Sequence, residues 1–369
     1  MSANRGGRIA IVVEDAGEHG GTERVSAFLA AHLPGAKIVS ITAADRRRHY
    51  AGPLLATRFA RMDVGPADLL LTFPTSGAAL ATPPPAGARH VAFLPGPPRA
   101  LHGHVGRYLL DYPRPVRPLL ALAVPPLRVH AARLVRRPNR ILTYSTFAAE
   151  SILRLYGRQA EVIPPPIRTR FFTPRPQQRT HFLAVARLVA HKRVDVLVDA
   201  FRGLNAELVI AGRGPWLERL RARAPRNVSF VGFVPDERLR ELYRGAVALI
   251  SPAAEEFGMV MAEAQACGTP VIAPSAGGAI DIVSHGETGL LLENADGRSI
   301  ADAVRQVTVC YEGWKERCRA SAERFAEDRF VSAMTRVVDG ELGLVSARSP
   351  AEAPRTVATE LAGAQSAPR

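Results

Sequence analysis

Long apolar runs are missing from this sequence. No stretch approaches the roughly 18–20 apolar residues that span a bilayer, and the nearest, Leu119–Leu127, is interrupted by Pro125 and Pro126. The opening MSANRGGRIAIVVE has no apolar signal-peptide core ahead of its first strand-like run. Cysteine is scarce: Cys267, Cys310 and Cys318 fit neither a disulfide framework nor a metal-ligand spacing. A reducing cytoplasm is the expected setting. Acids are also in deficit, with 34 Asp and Glu against 48 Lys and Arg, a formal net charge of +14, and Arg far outnumbering Lys. Such an excess favours polyanions, anionic membranes or phosphorylated ligands. A coding bias toward Arg, Ala and Pro gives the same excess. No RNA- or DNA-binding motif accompanies it, so nucleic acid is not an expected partner. No Asp-x-Asp stands in a metal-site context.

What is present is strand–helix alternation, twice. With 369 residues, 47% of them hydrophobic, the chain suits two domains. Arg8–Glu14 reads as a buried first strand. The loop Asp15–Gly21 follows, ending in Gly20-Gly21, and Thr22 can cap the next helix. Strand, Gly-rich turn and helix form a phosphate-cradle layout, although a bare Gly-Gly is also an ordinary tight turn. Lys37–Thr42, Leu69–Thr72, His90–Phe93 and Ile141–Tyr144 read as further parallel strands. Pro95–Asn139 is rich in Pro and Arg; from Arg107 to Arg140 eight Arg face a single acid, Asp111, among Tyr108, Leu109, Leu110 and Leu119–Leu122. It reads either as an irregular solvated surface or as a basic, apolar face for an anionic membrane or amphiphilic acceptor. Pro164-Pro165-Pro166 is stiff and places the interdomain hinge. Beyond it, His181–Ala186, Glu207–Ala211, Asn227–Phe230 and Ala246–Ser251 restart the alternation. Gly286–Leu292 reads as a hairpin-like return.

The stretch Glu255–Ala273, EEFGMVMAEAQACGTPVIA, carries the chemistry. It predicts a helix from about Phe257 to Cys267, stopped by Gly268, then a short buried strand. The N–H groups of Phe257, Gly258 and Met259 would leave the helix start as an anion site, and Gly258 lets a ligand come close. Glu255 and Glu263 stand eight positions apart. On a helix that is about 80° past two turns, so both could address one elongated ligand. A carboxylate suits the vicinal diol of a ribose or sugar ring. Upstream, Arg187 and Lys192 lie in a strand-to-helix turn at the carboxyl edge of the second sheet, where a diphosphate would sit.

These strings resemble those of the family 4 retaining glycosyltransferases of the GT-B fold. Glu255 through Glu263 matches the E-x7-E signature, with Glu256 where relatives often have Asp. Residues 187–197 resemble G-R-L…K-x-x-D-x-L, residues 20–25 resemble GG-x-E-R-V, and 212–215 resemble G-x-G-P. The likeness covers roughly residues 8–340. It implies an α/β GT-B architecture, with two facing Rossmann-like doubly wound domains and a C-terminal helix crossing back to the first. The implied domains are 1–165 (acceptor side), 166–326 (nucleotide sugar), a crossover helix at 327–343, and a disordered tail at 344–369.

The resemblance further implies retaining, metal-independent transfer of a hexose, mannose before others, from a GDP- or UDP-linked donor. The acceptor would be lipid-linked or a small molecule, with no other cofactor. Catalytic roles would fall to Glu255, Arg187 and Lys192. The donor would also meet Gly20, Gly21, Phe257, Gly258, Met259, Val260 and Glu263, with Val231–Val234 passing the base. Relatives often carry a cleft His two residues before a Pro-Pro-Arg-like string. Here Pro95 holds that place, leaving Arg99, His102 and His104 as acceptor-side candidates. The implied location is cytoplasmic, peripheral at an inner membrane face. A nucleotide-sugar 2-epimerase of the same architecture and a non-enzymatic polyanion-binding protein are the alternatives.

Overall fold

The computed structural model describes residues 7–14, 20–40, 52–103 and 105–343. The Asp15–His19 part of the first loop, the end of the Lys37–Thr42 strand, His104 and the 344–369 tail lie outside the described residues. The first sheet contains β1 (Ile9–Val13), β2 (Ala36–Ser40), β3 (Leu69–Phe73), β4 (Arg89–Phe93), β5 (Arg140–Thr143) and β6 (Glu161–Val162), in the order β2-β1-β3-β4-β5-β6. The second contains β7 (His181–Val185), β8 (Leu208–Ala211), β9 (Val228–Gly232), β10 (Ala246–Ile250), β11 (Val271–Pro274) and β12 (Gly289–Leu292), in the order β12-β11-β10-β7-β8-β9. Every pairing is parallel. The apolar runs of β1, β3 and β10 are buried along their whole length, as expected of parallel strands covered by helices on both faces.

The orders place a topological switch between β1 and β3 in one sheet and between β7 and β10 in the other. At such a point successive connections leave in opposite directions and open a crevice beyond the strand ends. The segments following β1, β7 and β10 are the Gly20–Gly21 turn, the Arg187–Lys192 turn and the Glu255 loop.

Two elements differ from the sequence reading. Gly289–Leu292 is not a hairpin return; it pairs parallel with β11 after the short crossover helix Ala279–Ile282. Nor do Pro125 and Pro126 break their segment, because one helix runs from Arg117 to Val135 with both prolines inside. A helical proline leaves the carbonyl four residues earlier without a donor. Here the prolines and the affected residues, Ala121 and Leu122, are all exposed, so water can take those oxygens. Together with the preceding turn, Arg114–Val135 is long and apolar enough, by length and composition only, to cross a membrane. Ala131, Leu134 and Val135 nevertheless pack into the first domain.

The helix Glu327–Glu341 joins the two halves. Phe330, Met334, Val337 and Val338 are buried along one stripe, and the Phe330 ring lies 6.2 Å from both Phe28 and Phe93 of the first domain. Glu341 receives Arg89 at 2.9 Å from the start of β4. Truncating Phe330 would empty its site against Phe28 and Phe93 of the first domain. Phe330→Ala should lower unfolding free energy by about 3–5 kcal/mol in urea melts; a loss below roughly 1 kcal/mol would show that this helix does not anchor the first domain.

Candidate functional site

The cation turn begins where β7 ends. Arg187 is exposed and its guanidinium has no protein partner among the described residues. Ala190–Lys192 forms one 3-10 turn, and Arg193 follows at φ 56°, the one left-handed non-glycine residue described. An L side chain is strained there and needs outside support. The Arg193 guanidinium supplies it by donating to the carbonyls of Ala295 at 2.9 Å and Pro252 at 3.4 Å. These bonds fasten the turn to the loops after β10 and β12, a role no spacing announces.

Lys192 Nζ reaches the Glu255 carboxylate, 2.7 Å from Oε1, with both side chains mostly buried. Burial pushes the Glu255 carboxyl up, but Lys192 and Arg99 outweigh it and hold it below the ordinary value. The loop around Glu255 is shaped by a glycine pair. Gly278 donates its N–H to the Glu255 carbonyl at 2.8 Å, and a Cβ on Gly278 would lie 2.3 Å from the Phe257 carbonyl oxygen. Any side chain there would push Phe257 and Glu255 out of place. Gly277–Gly278 is thus part of the frame around Glu255.

The helix after Glu255 starts later than the sequence indicated. Gly258 takes φ 97° and breaks the helical path, so the helix runs from Met259 to Ala266. Phe257 instead buries its ring edge-on against Phe325, 5.2 Å away. Glu255 therefore lies in a loop, and the helical angle between the two glutamates does not apply. No side chain caps the Met259 end, and Val260 follows in its first turn.

Glu263 points inward from this helix and is 3% exposed. Tyr243 Oη donates to its Oε2 at 3.0 Å, and Arg24 of the first domain stands 3.7 Å from Oε1. Burial raises the Glu263 carboxyl to about 6, against the pull of Arg24 and Tyr243. Arg24 also reaches Asp236 at 3.6 Å. The structure thus adds Arg24 and Tyr243 to the site, neither of which the sequence singled out.

The first domain supplies the facing wall. A Cβ on Gly21 would come 3.1 Å from Met259 Sδ, which puts the Gly20–Gly21 turn directly opposite the Met259 helix start. Arg99 pairs with Glu256 and donates to the Ala254 carbonyl. Gly96 packs on the same glutamate, 3.1 Å from its Cγ by an ideal Cβ. Burial raises the Glu256 carboxyl despite Arg99. Ser145 caps the helix Thr146–Tyr156 and gives its hydroxyl to the Glu256 carbonyl, while Asp281 of the second domain accepts the Thr146 N–H at 2.8 Å. Arg99 is therefore at the cleft. His102 is not brought into this group; its Nε2 lies 3.1 Å from Tyr156 Oη, at the far end of that helix.

Comparison with known proteins agrees with this geometry. Residues 167–324 match the family described as glycosyl transferases group 1. The chain is 34% identical to the D-inositol 3-phosphate glycosyltransferase of Acidothermus cellulolyticus, over 47% of this chain and 46% of that protein. It is 31% identical to the GDP-mannose-dependent alpha-(1-6)-phosphatidylinositol monomannoside mannosyltransferase of Mycobacterium tuberculosis, over 52% and 57%. The matches thus span about half the length of these curated relatives. Among solved structures, sucrose-phosphate synthase from Thermosynechococcus elongatus superposes with a TM-score of 0.70 at 18% identity, over 92% of this chain and 100% of that one. Anabaena HepE in complex with UDP and glucose gives 0.68 at 17%, over 90% and 99%. Residues 167–324 are similar to the group 1 glycosyl transferases, and the two parallel six-stranded sheets, with these structural neighbours, give the chain the GT-B fold.

Proposed function

We propose that this protein transfers a hexose, mannose before others, from a nucleoside-diphosphate sugar to a hydroxyl of a lipid-linked or small-molecule acceptor, with retention at the anomeric carbon and without a metal. The observation that carries this reading is the Lys192–Glu255 pair at the second sheet's switch point, with exposed Arg187 beside it and Glu263 one helix further on. The donor diphosphate takes Lys192 and Arg187, and Glu255, released from Lys192, accepts hydroxyls of the sugar. Glu263 accepts the ribose hydroxyls once Arg24 yields its place. The bond between the anomeric carbon and the diphosphate oxygen breaks, and the acceptor hydroxyl attacks from the same face. Its proton passes to the departing phosphate oxygen. Negative charge grows on that oxygen, and fixed cations aimed at it lower the barrier. Mannose and a GDP donor are favoured by the name of the mycobacterial relative; UDP remains the second donor to test.

The acceptor side favours an amphiphile. On the helix Arg117–Val135, Leu119, Leu122 and Val129 are 70%, 75% and 53% exposed and share one stripe with Pro126. Exposed Arg128 and Arg133 lie on the same helix, which contains no acid. An apolar stripe with flanking arginines fits an anionic bilayer surface. In this reading the protein works in the cytoplasm, peripheral to the membrane.

Three outcomes follow. GDP or UDP should raise the melting temperature, and Glu263→Ala should abolish the shift; no shift with GDP, UDP, ADP or dTDP would remove the donor assignment. Turnover should be unchanged in EDTA and fall about 100–1,000-fold in Lys192→Ala; activity lost in EDTA and restored by Mn²⁺ would overturn metal independence. The protein should float with vesicles containing anionic lipid at low salt, and Leu119→Asp/Leu122→Asp should stay behind. Equal flotation of that variant would discard the stripe as the contact.

A further inference from the structure

The helix Val105–Leu109 and the residues after it cross from the first domain to the donor-phosphate turn of the second. Four contacts meet there. The Tyr108 ring lies flat on the His191 imidazole, with centroids 4.2 Å apart and planes 6° from parallel. Arg107 donates to the Ala190 carbonyl at 3.2 Å and stands 4.0 Å from Asp195. Asp111 accepts the Ala190 N–H at 3.1 Å. Both backbone polar groups of Ala190 are therefore held by side chains from the opposite domain. Within its own domain the turn is short, uncapped by any side chain, and followed by the strained Arg193.

We propose that Arg107, Tyr108 and Asp111 are positioning residues that clamp the Ala190–Lys192 turn across the cleft, so that Lys192 is set for the donor diphosphate only when the domains close. The proposal rests on the reading of Lys192 as the diphosphate's cation. A flat ring stack fixes the turn's height over the first domain, and the two hydrogen bonds to Ala190 fix its rotation. Lys192 is two residues away, so small shifts of the turn become misplacement of Nζ. The His191 imidazole suits the stack because burial, with Lys192 and Arg187 nearby, pushes its pKa down to about 4 and leaves it uncharged at neutral pH. It therefore adds no charge that would compete with Lys192.

The test compares the affinities of GDP and GMP, with UDP and UMP in parallel, and measures kcat at saturating donor. In the wild type the second phosphate should add affinity, and Lys192→Ala should erase that increment. Tyr108→Ala and Asp111→Ala should keep the monophosphate affinity, lose most of the increment and lower kcat roughly 10–100-fold, the scale of a misplaced catalytic group. Tyr108→Phe and Asp111→Asn keep the ring and the acceptor oxygen and should restore both. If Lys192→Ala leaves the increment intact, the diphosphate reading itself has failed. If Lys192→Ala erases it while Tyr108→Ala and Asp111→Ala behave as wild type, the clamp is refuted and the donor reading stands.

Discussion

The ion pair between Lys192 and Glu255 sets the terms for the rest of the site. Two charges buried together gain little net stability, because their attraction must first offset the loss of water around both. The pair makes sense as a placeholder. In the proposed function, a diphosphate arriving at Lys192 would replace one anionic partner with another, and the freed carboxylate would meet neutral sugar hydroxyls. The heavy desolvation of the lysine would then already have occurred in folding, rather than during binding. Glu263 follows the same logic from the other side. Its buried carboxyl, with Arg24 poised nearby and Tyr243 donating, is already desolvated without a ligand.

This arrangement divides the molecule into a permanent seam and an exchangeable one. Along the crossover helix the contact with the first domain is apolar: Phe330 lies against Phe93 and Phe28. Separating those surfaces exposes hydrocarbon and is costly. Across the cleft, beside the Tyr108–His191 ring stack and the approach of Gly21 to Met259, the contacts are polar: Arg99 with Glu256, Ser145 with the Glu256 carbonyl, Thr146 with Asp281, Arg24 with Glu263. Water or a ligand can substitute for each of these at small net cost. With apolar contacts on one side and polar contacts on the other, separation costs less on the polar side, which is where the proposed donor would enter.

How much of this could be read from the chain depends on whether local chemistry or tertiary contact decides the feature. The parallel strands were legible because burial on both faces leaves continuous apolar runs such as IAIVV and AVALI. The glutamates, Arg187 and Lys192 were legible because their strings recur as motifs. The helix start at Met259 was not. Gly258 was visible, but whether it would enter the helix or turn left-handed depended on Phe257 finding Phe325. The Arg117–Val135 helix was missed because local rules penalise an internal Pro-Pro, while the exposure that makes it tolerable is set by how the helix lies on the domain. Arg193 and Tyr243 gave no signal because each acts on a partner from another part of the chain, and Arg24, though inside the GG-x-E-R-V string, gave no sign of its reach to Glu263.

The cationic excess acquires a physical account that composition alone could not give. Many arginines serve as forked donors to loop carbonyls. Arg179 holds the Ala246 and Gly268 carbonyls, Arg319 those of Thr169, Phe172 and Ala266, and Arg158 those of Val135, Arg136 and Pro138. A planar guanidinium with five N–H groups can satisfy several such oxygens at once, which a lysine cannot. Where the partners are neutral carbonyls, as at Arg158, the arginine adds its positive charge without an acid among them, whereas Arg319 also pairs with Glu323. Part of the +14 is therefore a by-product of fastening loops. Other arginines are exposed, among them Arg187 in the cleft and Arg128 and Arg133 on the Arg117–Val135 helix, and these are the ones the proposed function uses. A single residue type thus fastens the scaffold and charges the surface, and only the neighbours of each arginine tell which.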